Sequence, residues 1–109
     1  MPEHLPPALL SRVADRFRVL GDETRLSILR TLLDADELNV GEIVDRLETT
    51  QANVSKHLKI LLGAGMVWRR REGTSAYYGI ADPTIANLCD IVCGRLRDQI
   101  EGQARLLRA

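Results

Sequence analysis

A mainly α protein with one small β-hairpin is predicted by three features of this chain. Apolar residues recur at spacings of three and four through most of the 109 residues, the mark of amphipathic helices. The helical period breaks over MVWRRREGTSAYYGI, residues 66–80, where β-favouring residues flank Glu72–Gly73–Thr74–Ser75. Aromatic residues are only 4% of the chain, which argues against a sandwich or barrel built on Tyr, Phe and Trp. A chain of this length forms a single domain, residues 1–109, and a hydrophobic content of 45% can supply its core.

Each element has its own signal. Residues 1–7 form a Pro-containing lead-in. Leu9, Leu10, Val13, Phe17 and Leu20 then line one face of a first helix, which Gly21 ends. Asp22 is the expected N-cap of a second helix over Arg25–Leu33. DADELN, residues 34–39, reads as a polar loop. Val40–Leu47 is a short helix with Ile43, Val44 and Leu47 inward. A turn at ETT follows, with Thr50 as N-cap for a helix over Gln51–Leu62 whose inner face carries Val54, Leu58, Leu61 and Leu62. The GAG at 63–65 stops it, and the hairpin comes next. Asp82 as N-cap and Pro83 at the first helical position restart a long helix to about Arg108. Ile85, Leu88, Cys89, Val92, Leu96 and Ile100 share one of its faces.

The formal charge is zero, but it is partitioned. Residues 1–48 carry six arginines against ten carboxylates, whereas residues 49–80 carry Lys56, Lys59, Arg69, Arg70 and Arg71 against Glu72 alone. A basic patch on a neutral chain is the footprint of a polyanionic partner. The patch coincides with two short helices joined by a tight turn, the lengths of a helix-turn-helix, whose second helix enters a major groove about 12 Å wide. That helix offers Thr50, Gln51, Ala52, Asn53, Ser55, Lys56, His57 and Lys59 as DNA-contacting residues. Gln and Asn suit adenine edges, Ser either base type, an Ala methyl a thymine methyl, and Lys guanine or phosphate; the helix N-terminus favours a phosphate. His57 is a candidate for a local hydrogen bond, a phosphate or a base. In the hairpin Arg69, Arg70, Arg71 and Thr74 are placed to reach the backbone or the neighbouring minor groove. Trp68 and Tyr77 or Tyr78 are expected to pack the hairpin against the body.

LGDETRLSILRTLL, followed by ELNVGEIVDRLETTQANVSKHLKILLGAGMVWRRREGTSAYYGI, resembles the ArsR/SmtB family of winged-helix transcriptional repressors over roughly residues 10–100. The resemblance implies a winged helix-turn-helix dimerising through the first and last helices. It also implies a homodimer that binds double-stranded operator DNA and leaves it on a metal or other chemical signal. The apolar stripes at Leu9–Leu20 and Ile85–Ile100 agree. None of the family's usual metal sites carries over: Asn39 and Gly41 stand where one thiolate site needs cysteines. Asp82, Thr84, Arg95 and Asp98 stand where an Asp/His/His/Glu zinc site needs its ligands, and the recognition helix has no cysteine.

Cys89 and Cys93 remain, one turn apart on the last helix. They are either small hydrophobes on an apolar stripe or a thiol sensor that holds a thiophilic metal(loid) such as arsenite or responds to oxidants. An i, i+4 disulfide in an intact helix is strained. An enzyme is disfavoured: the spacing is CxxxC, no strand-to-helix redox context precedes it, and no nucleophile triad or phosphate loop is present. A winged helix serving only protein contacts has no need of three consecutive arginines. No apolar run reaches the roughly 18 residues of a membrane span, and MPEHLPPALL shows no export signal. The expectation is a cytoplasmic protein that keeps both thiols reduced.

Overall fold

The computed structural model describes residues 4–108. Its elements are α1 (Pro7–Leu20), α2 (Glu23–Ala35), β1 (Glu37–Asn39), α3 (Val40–Leu47), α4 (Gln51–Gly63), β2 (Val67–Glu72), β3 (Ser75–Ile80) and α5 (Thr84–Arg108). Residues 1–3 of the expected lead-in lie outside the described residues, and its last residue is already helical. Pro7 occupies the first position of α1, where a missing N–H costs nothing, and the Leu9 and Leu10 amides both donate to the Pro6 carbonyl.

The N-caps fall where side-chain chemistry puts them. Asp22 accepts from the Arg25 amide and starts α2 two residues earlier than the apolar spacing suggests. Thr50 accepts from the Asn53 amide at 3.1 Å. α3 begins on a full capping box: Asn39 Oδ1 accepts from the Glu42 amide, and Glu42 Oε1 accepts from the Asn39 amide. Gly65, at φ +72°, closes α4 in a Schellman-type turn, with the Met66 amide donating to the Leu61 carbonyl. α5 begins at Thr84 rather than Pro83; Asp82 accepts from both the amide and the hydroxyl of Thr84.

The DADELN loop needs correcting. Its first two residues finish α2, and Glu37–Asn39 form β1, which pairs antiparallel with β3 to make a three-stranded sheet of order β1-β3-β2. Three residues are too few for a period to register. The strand exists because β3 presents an open edge to it.

Strand alternation separates the sheet's faces. Leu38, Val67 and Tyr78 turn inward and join Ile28, Leu29, Leu32, Ile43, Val54, Leu58, Leu61, Met66 and Ile85 in one core beneath α2, α3 and α4. Trp68 turns the other way. It lies across Gly79 on the outer face instead of packing the hairpin against the body, so that expectation holds for Tyr78 and not for Trp68. A methyl added at Gly79 would overlap the indole ring. Gly79→Ala is therefore expected to cost about 1–3 kcal/mol and to shift the emission of the chain's single tryptophan. Thermal melts followed by fluorescence check both.

α1 and α5 stand partly off this core. No residue of α1 is buried, and Phe17 is 58% exposed. Along α5 only Ile85 is buried, and the stripe emerges into solvent through Val92, Leu96 and Ile100. Among the described residues no helix is long and apolar enough to cross a membrane.

Candidate nucleic-acid interface

The α3–α4 corner is made tight by its backbone. Glu48, in the left-handed region at φ 52°, ends α3, its amide donating to the Val44 carbonyl. Only Thr49 and Thr50 separate it from α4. A non-glycine residue there is held against a cost of order 1–3 kcal/mol, so the corner is imposed by the packing on either side. The Asn53 side-chain amide adds a donor to Thr49 Oγ1 at 3.1 Å.

α4 buries Val54, His57, Leu58 and Leu61 and leaves Gln51, Ala52, Ser55, Lys56 and Lys59 exposed together. This outward set is short-chained at its N-terminal end and cationic along its length, as a helix entering a groove requires. Asn53 is half-buried and Thr50 exposed, with its hydroxyl oxygen committed to the cap. The wing meets this helix at one open cleft of about 310 Å³, lined by Gln51 from α4, Thr74 and Ser75 from the hairpin turn and Asn39 from the start of α3. Glycine at the first of the two turn positions, Gly73 at φ +61°, is what a tight hairpin of this kind demands.

Two predicted contact residues lie elsewhere than expected. His57 is 7% exposed, and its Nδ1 is 3.2 Å from Arg25 Nη1 on α2, so it is not on the outward face. The spacing signalled this: 54, 57, 58 and 61 form one helical stripe. Arg70 alternates onto the outer sheet face. There its guanidinium donates to Glu72 at 2.7 Å and to Glu37 at 2.9 Å and lies 4.9 Å from the Tyr77 ring centroid. Those carboxylates, Glu72 foremost, raise its pKa above the usual arginine value. Arg70 clamps β1 to the hairpin; Arg69 and Arg71, on the opposite face, are the wing's exposed cations.

Of the positions compared with the family's metal sites, Asp82, Thr84 and Asn39 are already engaged. Asp82 accepts from Thr84 and pairs with Arg16 of α1, and these contacts, those of Thr84 first, hold its carboxyl below the usual range. Asn39 is spent on the α3 cap. Among the described residues no group of three or more His, Cys, Asp or Glu is placed to hold a metal ion. Cys89 is half-buried and Cys93 exposed, both free thiols. They flank an apolar groove of about 240 Å³ that also touches Phe17, Leu20, Leu26 and Val92. Burial, then Cys93 and Asp90, push the Cys89 thiol up, so it keeps its proton at neutral pH unless a soft ion displaces it.

Comparison with known proteins places this geometry. The family described as bacterial regulatory protein, arsR family, matches residues 22–68, from the α2 cap to the start of the wing. The HTH-type transcriptional regulator MJ1325 of Methanocaldococcus jannaschii is 38% identical over 74% of this chain and 91% of its own length. The arsenical resistance operon repressor of Bacillus subtilis is 33% identical over 86% of this chain and 90% of its own. Among solved structures, the homodimeric winged helix-turn-helix DNA-binding domain Mb0332 from Mycobacterium bovis covers 87% of both chains at 34% identity, with a TM-score of 0.77.

Proposed function

The chain belongs to the arsR family of bacterial regulatory proteins, DNA-binding transcriptional regulators rather than enzymes, and from that premise we propose that it is a homodimeric repressor released from its operator by a thiophilic signal. The observation that carries DNA binding is the outward face of α4, where Lys56 and Lys59 follow Gln51, Ala52 and Ser55 beside the exposed Arg69 and Arg71 of the wing. One such face offers few base contacts; two, carried by a symmetric dimer, read half-sites about one DNA turn apart. The exposed apolar residues of α1 and α5 supply a surface for that pairing, and the homodimeric state of the M. bovis domain supports it.

Signal binding falls to Cys89 and Cys93. They lie one turn apart at the rim of a groove shared by α1, α2 and α5, so a ligand there bears on the helices that form the pairing surface. Arsenite suits a pair of neighbouring thiols. Each thiol forms a sulfur–arsenic bond, and its proton leaves with one arsenic-bound hydroxide as water. The arsenical resistance repressor among the relatives favours this ligand class. A DNA operator implies work in the cytoplasm, where thiols stay reduced.

The test is footprinting on DNA upstream of the chain's own gene, followed by titration of the protected duplex with and without arsenite. Wild type is expected to bind and to lose at least about 5-fold in affinity with arsenite. Cys89→Ser/Cys93→Ser protein is expected to bind and not respond. A double variant that still responds removes the thiols from the mechanism; no protection at low salt removes the operator.

A further inference from the structure

Arg25 ties three helices together. Its amide donates to Asp22 in the α2 cap, and its guanidinium reaches three further acceptors. Nε donates to the Val19 carbonyl at 2.6 Å, Nη2 to the Arg18 carbonyl at 3.3 Å, and Nη1 to His57 Nδ1 at 3.2 Å. The two carbonyls belong to the last turn of α1, where no further helical amide is available to take them and where a cation also suits the helix dipole. His57 lies mid-way along α4, inward among Val54, Leu58 and Leu61. One planar cation therefore joins the end of the helix proposed for pairing to the centre of the helix proposed for reading.

The chemistry of the contact sets the state of the ring. A guanidinium has only donors and does not lose its proton in proteins. Nδ1 of His57 must then be the acceptor, with the ring neutral and its hydrogen on Nε2. A proton added to the ring makes both nitrogens donors and sets two cations face to face. The charged groups at this corner are Arg25 and Asp22 of α2, and the Asp22 carboxyl is held low by the Arg25 amide first and by the Arg25 charge. Arg18 of α1 turns its side chain to Asp15. Lys56 and Lys59 of α4, Asp45 and Arg46 of α3, and Arg69 to Arg71 of β2 are exposed to solvent. One carboxylate would thus face two cations.

We infer that Arg25 and His57 are positioning residues for operator binding: the neutral His57 ring, held by Arg25, sets the orientation of α4 against the end of α1, and protonation of that ring releases it. The inference rests on the operator reading above. Its sign is distinctive. A positive charge gained by a DNA-reading helix should by itself strengthen binding to a polyanion, whereas loss of this junction weakens it.

The experiment is fluorescence anisotropy on the footprinted upstream duplex at fixed ionic strength, from about pH 8 to about pH 5. Wild-type affinity is expected to fall by about 5-fold or more on acidification, and His4→Asn protein to follow it. In His57→Asn the Oδ1 takes the place of Nδ1 and accepts from Arg25 at any pH, so the pH dependence is expected to vanish. Wild-type affinity that stays level or rises in acid overturns the inference, as does a His57→Asn protein that tracks wild type. Nitrogen NMR of the wild-type ring at neutral pH, which needs neither DNA nor a folded variant, is expected to show Nδ1 without hydrogen; a hydrogen there overturns it independently. Failure of the operator reading is seen separately, as absence of duplex binding at every pH.

Discussion

Lys56→Gln/Lys59→Gln protein is expected to lose at least about 100-fold in operator affinity at physiological salt, with its thermal melt unchanged. Glutamine matches lysine closely in helix propensity, and both side chains are exposed, so the fold has no reason to respond. The binding does. In a dimer the two substitutions remove four cations from the surface facing the duplex. Each phosphate contact contributes about −0.9 to the slope of log affinity against log salt. If all four lysines meet phosphate, the slope becomes shallower by about four. Lysines that contact guanine instead leave the slope nearer its wild-type value and relax sequence preference at one position of each half-site. Arg70→Gln is the internal control: its guanidinium already serves Glu37 and Glu72, so it should loosen the β1 edge and leave the slope almost unmoved. A double lysine variant with wild-type affinity and slope would remove α4 from the interface.

That contrast between neighbouring arginines shows what a linear sequence does and does not disclose. Three consecutive arginines read as one basic run, yet a strand of period two sends the middle one to the opposite face, where Glu37 awaits it from a strand 33 residues earlier. The alternation was readable; the partner was not, because β1 is three residues of no periodic signature, stabilised by pairing with β3. Elements whose causes are local were legible almost to the residue. α3 came out at Val40–Leu47 because its stripe and the flanking turn lie within its own span, and Asp22 and Thr50 cap as Asp and Thr do. The hairpin turn was legible because a two-residue loop opening on glycine admits few alternatives.

His57 is a subtler case. Its place on the buried stripe of α4 was available from spacing, but histidine among lysines on a basic helix invites assignment to the surface. What makes it an inner residue is Arg25, 32 positions away, which supplies the partner a buried imidazole needs. Legibility ended where a side chain's role depended on a contact between elements that only the fold brings together. The same limit holds for the last helix. Its apolar stripe was plain, and so was its length, but only the structure shows that the stripe leaves the core after Cys89 and continues into solvent.

The emergent part of that stripe carries the second large effect. Leu96→Asp/Ile100→Asp protein is expected to be a folded monomer with at least about 100-fold weaker operator binding. Leu96 is 51% and Ile100 63% exposed in the single chain. Two aspartates there sit in water, disturb no core contact, and should leave the helical circular dichroism near that of wild type. In a dimer packed through α5 the same substitutions place four carboxylates in a desolvated seam, where unpaired charge is strongly unfavourable. Association is therefore lost while the fold is kept. DNA binding follows because two reading helices on one rigid body present the second to its half-site at a high effective concentration, an advantage of about 10²–10⁴ that a monomer forfeits. Sedimentation gives the mass and anisotropy the affinity, on the same sample. A double variant that remains dimeric would move the seam off this part of α5; a monomer that binds as tightly as wild type would show that a single reading head suffices.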